Sequence, residues 1–402
     1  MSVKKRTHDE KAVEETYKFK GWRLRLLRLL ALLVIVCVGL SACGKKKSET
    51  KDEEHVVKIG VLLDFSGEKA SDSEQLYSAA SIAVDEINAA GGVLTDGYML
   101  ELIKMDDAGD YLNSVAGYYK LVEEGVCAVI GTNNSKGMKE LINASSSANV
   151  PIITPSITDD ALVAAANFVY QACFSDKYAM QAMAKLLSTK QNKTQGSQSV
   201  ALVCPTEDER YISLYEDMAA AVNSYNLDTV YAGELSEYTV EELEKIFDSI
   251  VAAKAENLFI PAAYDNLDMI LSVAEKKGYD GVFIGLPEWN EYAGDTYGYD
   301  IYIPVNMAVD KDNEAVKSFM GKLGDITSDG VRPSYEAVYF IRGAIESGHL
   351  ATAASIALKL PFLEGSTSLG DYSIGAYGNI DKAVDIVLMC DGEKSYMTTI
   401  FE

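Results

Sequence analysis

Histidine is almost missing from this chain, with three in 402 residues: His8, His55 and His349. They lie far apart in the sequence, so a histidine-based triad or a histidine-ligated metal has no candidate residues. Cysteine is equally sparse, six residues with no Cys-x-x-Cys pair, which offers no zinc-type spacing. No GxxxxGK[ST], HExxH, GxSxG or post-strand GxGxxG motif occurs. Acids are abundant, but no spacing pairs two of them for acid–base hydrolysis. These absences argue for a protein that is not an enzyme and needs neither cofactor nor metal.

Positive charge is also scarce, 36 Lys+Arg against 60 Asp+Glu, and what there is sits unevenly. Residues 1–42 hold nine basic and four acidic residues, which leaves 27 against 56 from position 43 onward, a balance of −29. A body so acidic does not recognise a phosphate backbone, so nucleic acid is excluded as the main partner. Hydrophobic content of 48% excludes a disordered chain and predicts ordinary domains with real cores.

The leader explains the imbalance. Arg23, Arg25 and Arg28 precede an unbroken apolar run from Leu29 to Leu40, too short to span a bilayer and laid out like a secretory signal. The run ends in Leu40-Ser41-Ala42-Cys43, which resembles a bacterial lipobox. That resemblance implies a signal peptide over 1–42, a diacylglyceryl group on the Cys43 thiol and a membrane-anchored, extracytoplasmic mature protein. Two acyl chains suffice for stable anchoring. The alternative is a plain signal anchor with an incidental cysteine. Residues 43–55 are polar and aperiodic and read as a tether. Of the remaining cysteines, Cys127, Cys204 and Cys390 fall in apolar strand-like runs; with Cys173 they read as free core thiols rather than disulfides.

From Val56 the pattern alternates. A β-branched strand to Leu63, a helix over 73–90 with apolar residues at spacings of three and four, then strands and helices in turn to residue 153 predict a parallel sheet covered by helices. The alternation restarts near residue 176 and runs to about 285, with no Pro/Gly-rich linker between the halves. Two α/β lobes are therefore expected.

Five phrases occur in order: Ile59-Gly60-Val61 with Phe65-Ser66-Gly67; Ala83-Val84-Asp85-Glu86-Ile87-Asn88-Ala89-Ala90-Gly91-Gly92-Val93; Asp106-Asp107-Ala108; Ala128-Val129-Ile130-Gly131; and Val150-Pro151-Ile152-Ile153-Thr154-Pro155-Ser156. Together they resemble the type I periplasmic solute-binding proteins of the leucine/isoleucine/valine group. The resemblance implies two Rossmann-like lobes joined by three crossings that close on a ligand, with lobe 1 at 56–174 plus 305–363 and lobe 2 at 175–304 plus 364–402.

A zwitterionic ligand needs hydroxyl and backbone donors for its carboxylate and an acid for its ammonium. Ser135 and Asn134 follow a strand and precede a helix, where anions bind in open α/β sheets. Ser135, Ser156 and Thr158 match the family's carboxylate contacts, Tyr264 a tyrosine lining the cleft, and Glu288 the acid that pairs with the ammonium. The alternatives are helix caps for Ser135 and Ser156 and a solvated loop acid for Glu288. Trp289 either walls the pocket or packs between lobes. Tyr211 lies where the family has a Tyr-Gly pair, but this chain has the charged run Glu207-Asp208-Glu209-Arg210 and no glycine. Asn133, Asn134 and Lys136 stand where small hydroxyl residues are usual, which leaves room for a ligand other than a branched aliphatic amino acid. The tyrosines between Tyr292 and Tyr302 read as loop packing, with ligand stacking the alternative. The function implied is delivery of an amino acid or small amide to the permease and ATPase of an ABC importer; the alternative is a receptor that signals to a membrane partner without transport.

Overall fold

A computed structural model of the chain describes residues 55–189, 199–309, 312–324 and 328–401. The signal segment, Cys43 and all of the tether but His55 lie outside the described residues. From His55 onward the chain forms one compact unit.

The first sheet has five strands in the order β2-β1-β3-β4-β5: β1 Val56–Leu63, β2 Met99–Asp106, β3 Ala128–Gly131, β4 Ile152–Thr154 and β5 Val169–Gln171. All its pairings are parallel. Such a sheet is buried on both faces, and period-two alternation divides its side chains between two cores. Ile59, Val61 and Leu63 join one core with α1 (Ala70–Ala89), while Leu62, Val129 and Ile152 join the other with α2 (Tyr111–Glu123) and α3 (Ser135–Ala148). The apolar stripe of α1, Leu76, Ala79, Ala80, Ala83, Val84 and Ile87, is buried as its spacing predicts. The helix starts a turn earlier than residue 73. The short α4 (Asp160–Ala164) and β5 are too brief to give a periodic signal and were not expected from the sequence.

The second sheet mixes parallel and antiparallel strands in the order β15-β14-β10-β9-β8-β6-β7. Its parallel part holds β6 Ser199–Pro205, β7 Asp228–Leu235, β8 Asn257–Phe259, β9 Val282–Ile284 and β10 Ile301–Val305, and the hairpin β14 Val384–Cys390 and β15 Glu393–Ile400 is added antiparallel. The connecting helices are α5 Asp176–Ser188, α6 Glu209–Ser224, α7 Val240–Ala253 and α8 Leu267–Lys277.

After β10 the chain returns to the first lobe through α9 Glu314–Leu323, α10 Val331–Gly348 and α11 Ala353–Lys359. The expected boundary at residue 364 needs correction. A three-stranded sheet of β11 Glu364–Thr367, β12 Gly370–Ile374 and β13 Ile380–Asp381 stays with lobe 1. Its inward residues Tyr372, Ile374 and Ile380 share the core of Ile59 and Phe340, and the Tyr372 ring lies 4.4 Å from that of Phe340. The third crossing therefore falls at Lys382–Val384, because the apolar face of β12 has its partner in α10.

One buried charge cluster ties the three crossings together. Glu336 on α10 accepts from Arg332 Nε at 2.6 Å and from Lys382 Nζ at 2.9 Å. Lys382 also donates to Ala172 O at 2.8 Å, and Arg332 to Asn306 O at 3.0 Å. Ala172, Asn306 and Lys382 stand at the first, second and third crossings.

Candidate functional site

In a parallel sheet the loops after the strands all open on one edge, and neighbouring strands place their loops side by side. On lobe 1, β3 and β4 are paired, so Asn134-Ser135 and Ser156-Thr158 are adjacent loops, with the segment after β5 next to them. On lobe 2, β6, β8 and β9 are consecutive, which brings together Arg210-Tyr211, Tyr264 and Glu288.

The loop after β3 is rigidly built. Gly131 has a φ of +141°, and a Cβ there would lie 2.0 Å from Leu62 O, so only glycine fits. Asp107 accepts from Thr132 Oγ1 at 2.8 Å and Ser114 Oγ at 2.7 Å. Asn133 accepts from Asp64 N at 3.2 Å and donates to Ser73 Oγ at 3.0 Å. Asn134, not Ser135, caps α3: its Oδ1 accepts from Lys136 N at 3.0 Å and Gly137 N at 3.3 Å, while its Nδ2 donates to Gly109 O at 2.7 Å. Both ends of the Asn134 amide are thus committed to protein partners, and Ser135 stands exposed at the first turn of α3, beside the positive end of the helix dipole. Ser156 is exposed too, in a turn whose Ile157 N–H donates to Thr154 Oγ1 at 3.1 Å.

Lobe 2 presents a charged group. Arg210, in the first turn of α6, donates through both terminal nitrogens to Glu288, at 2.8 Å to Oε1 and 3.2 Å to Oε2. Its Nε lies 4.0 Å from Asp176 Oδ2. Burial works against the Arg210 charge, but Glu288 and Asp176 outweigh it and hold the guanidinium above its ordinary pKa. The Tyr211 hydroxyl is pushed up to about 12 by burial and by Glu288. Asp176, first residue of α5, is 8% exposed, and its backbone N–H donates to Thr158 O at 2.9 Å, so it stands where lobe 1 meets lobe 2. Burial raises its carboxyl to about 6 against the opposing effects of Arg210 and the Thr158 hydroxyl. Its Oδ1 has no hydrogen-bond partner among the described residues.

The remaining expected residues divide. Tyr264 is exposed at the start of a single 3₁₀ turn after β8. Trp289 is fully buried in the lobe 2 core, its Nε1 donating to Ala262 O at 2.7 Å, so the indole supports the loop of Glu288 and adds nothing to the cleft surface. The tyrosine-rich run packs: Tyr299 donates to Tyr279 O at 2.8 Å and sits 5.0 Å from the Phe283 ring. Cys127, Cys173 and Cys204 are free thiols among the described residues, and burial raises the first two to about 12. Ser175-Asp176 reads from sequence as an ordinary capped helix start, which gives no sign that Asp176 approaches Arg210.

A cavity of about 340 Å³ opens beside the hinge, lined by Asp72 and Asp329 from lobe 1 and Asn290, Glu291 and Lys394 from lobe 2, among others. None of the expected ligand residues lines it.

Residues 56–357 match the family model described as periplasmic binding protein. The leucine-, isoleucine-, valine-, threonine- and alanine-binding protein of Pseudomonas aeruginosa is 23% identical over 341 residues, covering 81% of this chain and 87% of that protein. The Leu/Ile/Val-binding protein of Escherichia coli K12 is 33% identical over 132 residues, 33% of this chain and 34% of that protein. Among solved structures, an ABC transporter substrate-binding protein of Desulfitobacterium hafniense superposes with a TM-score of 0.73 at 22% identity, covering 85% of this chain and 99% of its own. A solute-binding protein of Rhodopseudomonas palustris in complex with 4-hydroxybenzoate does so at 0.67 and 17% identity, covering 86% and 97%. The two-lobed architecture and these matches together show that the chain belongs to the periplasmic binding protein family, whose members are extracytoplasmic solute-binding proteins and not enzymes.

Proposed function

We propose that this protein is a lipid-anchored receptor that binds an amino acid or related small amide between its lobes and delivers it, in the closed form, to the permease and ATPase of an ABC importer. What supports the reading is the opposite chemistry of the loops that follow the parallel strands of the two lobes. Lobe 1 offers the dipole of α3 with the hydroxyls of Ser135 and Ser156, which suits a carboxylate, while the Thr158 hydroxyl hydrogen-bonds Asp176. The opposing side offers the carboxylates of Asp176 and Glu288, which suit an ammonium, with Tyr211 and Tyr264 as aromatic flanks. The names of the Pseudomonas and Escherichia relatives support the ligand class. The lipobox-like sequence ending at Cys43 supports the anchor.

Thermal-shift and calorimetric screening of the full-length protein in detergent against amino acids, amides and urea tests the ligand class. An amino acid or amide that raises the melting temperature and titrates one to one is the expected result. Failure of every such compound would refute the reading.

A further inference from the structure

The acid surplus of the chain reaches the places where the lobes meet. At the cavity beside the hinge, Asp72 and Asp329 come from lobe 1 and Glu291 from lobe 2. Asp72 lies in the first turn of α1, which follows β1, and Glu291 in the turn after β9, so both stand at the edge where parallel strands end. Burial raises the Glu291 carboxyl, and the charges of Asp72, Glu288 and Asp329 raise it further against the opposing effect of Lys69. Burial likewise raises Asp72 against Lys69. A second meeting lies beside the first crossing, where Asp160 Oδ2 accepts from Lys177 N at 3.4 Å. There Asp217 of α6 faces Asp160 and Asp159 of lobe 1. Burial and then the Asp160 charge bring the Asp217 carboxyl to about 6, with Glu216 and Asp159 adding to the rise and Lys177 opposing it.

These acids are not neutralised in pairs. Among the described residues, the side chains of Asp72, Glu291 and Asp217 form no hydrogen bond or ion pair. The nearby lysines are turned elsewhere: Lys69 Nζ donates to Asn133 O at 2.8 Å, and Lys394 Nζ donates to Asn290 O. Nor do three acids converge as metal ligands among the described residues, so the arrangement is not that of a metal site. What is left between them is repulsion, which grows as like charges approach. Hinge closure moves the facing edges of the lobes together, so this repulsion rises on closing and falls on opening. Resting on the reading that the lobes close on a ligand, we propose that the facing acids, Glu291 against Asp72 and Asp329 and Asp217 against Asp159 and Asp160, form an electrostatic spring that holds the empty receptor open. The ligand's contacts must outweigh the spring, which sets the affinity below what those contacts alone would give and drives reopening once the ligand has left.

The test uses the full-length protein in detergent at a pH of about 7.5, where these carboxyls are ionised, with the tightest and the weakest measurable binder among the common twenty amino acids. Glu291→Gln and Asp217→Asn are each expected to tighten both amino acids by the same factor, about three- to tenfold, because they act on closure and not on a ligand contact. Combined, the two gains should multiply, since they arise at separate places. Asp72→Asn added to Glu291→Gln should give little beyond Glu291→Gln alone, since both remove one repulsion. In about 1 M salt, where the Debye length is about 3 Å, the ratio of wild-type to variant Kd should fall toward one. Glu101→Gln removes an equal charge from the exposed edge strand β2 and should leave both affinities unchanged. Unchanged or weaker binding by either Glu291→Gln or Asp217→Asn, equal tightening by Glu101→Gln, or a gain confined to one of the two amino acids would overturn the spring while the amino-acid reading stands. Binding of no amino acid by the wild type would overturn both.

Discussion

Asp176 shows how one residue can set stability and affinity against each other. Burial raises its carboxyl to about 6, and the same cause raises Asp329 to about 6, with Asp217 brought to about 6 by burial and by Asp160. A group whose folded pKa lies above its unfolded value adds stability when protonated, and that stability is lost as the pH rises through the folded pKa. The melting temperature of the ligand-free protein is therefore expected to rise as the pH falls from about 7.5 to about 5.5. Ligand affinity should move the other way. Asp176 faces Arg210 from α6, Glu288 from the turn after β9, and Thr158 and Asp159 from lobe 1, and its protonation removes the net charge that would hold an ammonium. Calorimetric titration across the same pH range checks this; affinity that is flat or strengthens toward acid would contradict it. The serines and the glutamate proposed to meet the ligand are reached from the sequence because each follows a strand or a family phrase. The bond between Arg210 and Glu288 was not legible, since 78 residues separate them and only the sheet order, with β8 between β6 and β9, sets the loops after those two strands within reach of each other.

At the scale of elements, α10 is the keystone. Glu336 sits at no surface and neutralises two cations that are buried with it, Arg332 at 3% and Lys382 at 0% side-chain exposure. Burial opposes the Glu336 charge, but Arg332 and Lys382 hold its carboxyl below the ordinary value. Replacing Glu336 by Gln leaves those cations uncompensated, and a loss of about 3–5 kcal/mol is expected, read by urea unfolding. The helices and strands of the alternating region were legible because each has its own periodicity: the apolar residues of α1 recur at spacings of three and four, and they are the ones buried. The sheet of β11 to β13 was not, because which lobe it joins depends on the contact of Tyr372 with Phe340, a tertiary fact with no local signature. Trp289 makes the same point, since a tryptophan beside a cleft acid reads equally well as wall or core until its indole nitrogen is seen on Ala262 O.

For the whole molecule, the two lobes are separate cores joined only where β5, β10 and the segment before β14 leave them, which is the construction that hinge closure requires. The proposed anchor, Cys43, lies outside the described residues. Cys43→Ser is expected to move the protein from the membrane fraction to the soluble fraction of expressing cells and to abolish incorporation of labelled palmitate, with the melting temperature unchanged. The central claim is that the cleft takes an amino acid between lobe 1 hydroxyls and the lobe 2 acid. It is tested most directly by calorimetric titration of wild-type protein with the common amino acids, each beside its amine-free acid. The account predicts at least one amino acid binding one to one with a Kd in the micromolar range or tighter, about −8 kcal/mol, and its amine-free acid far more weakly. Equal binding of the two, or binding of carboxylic acids alone, would contradict it.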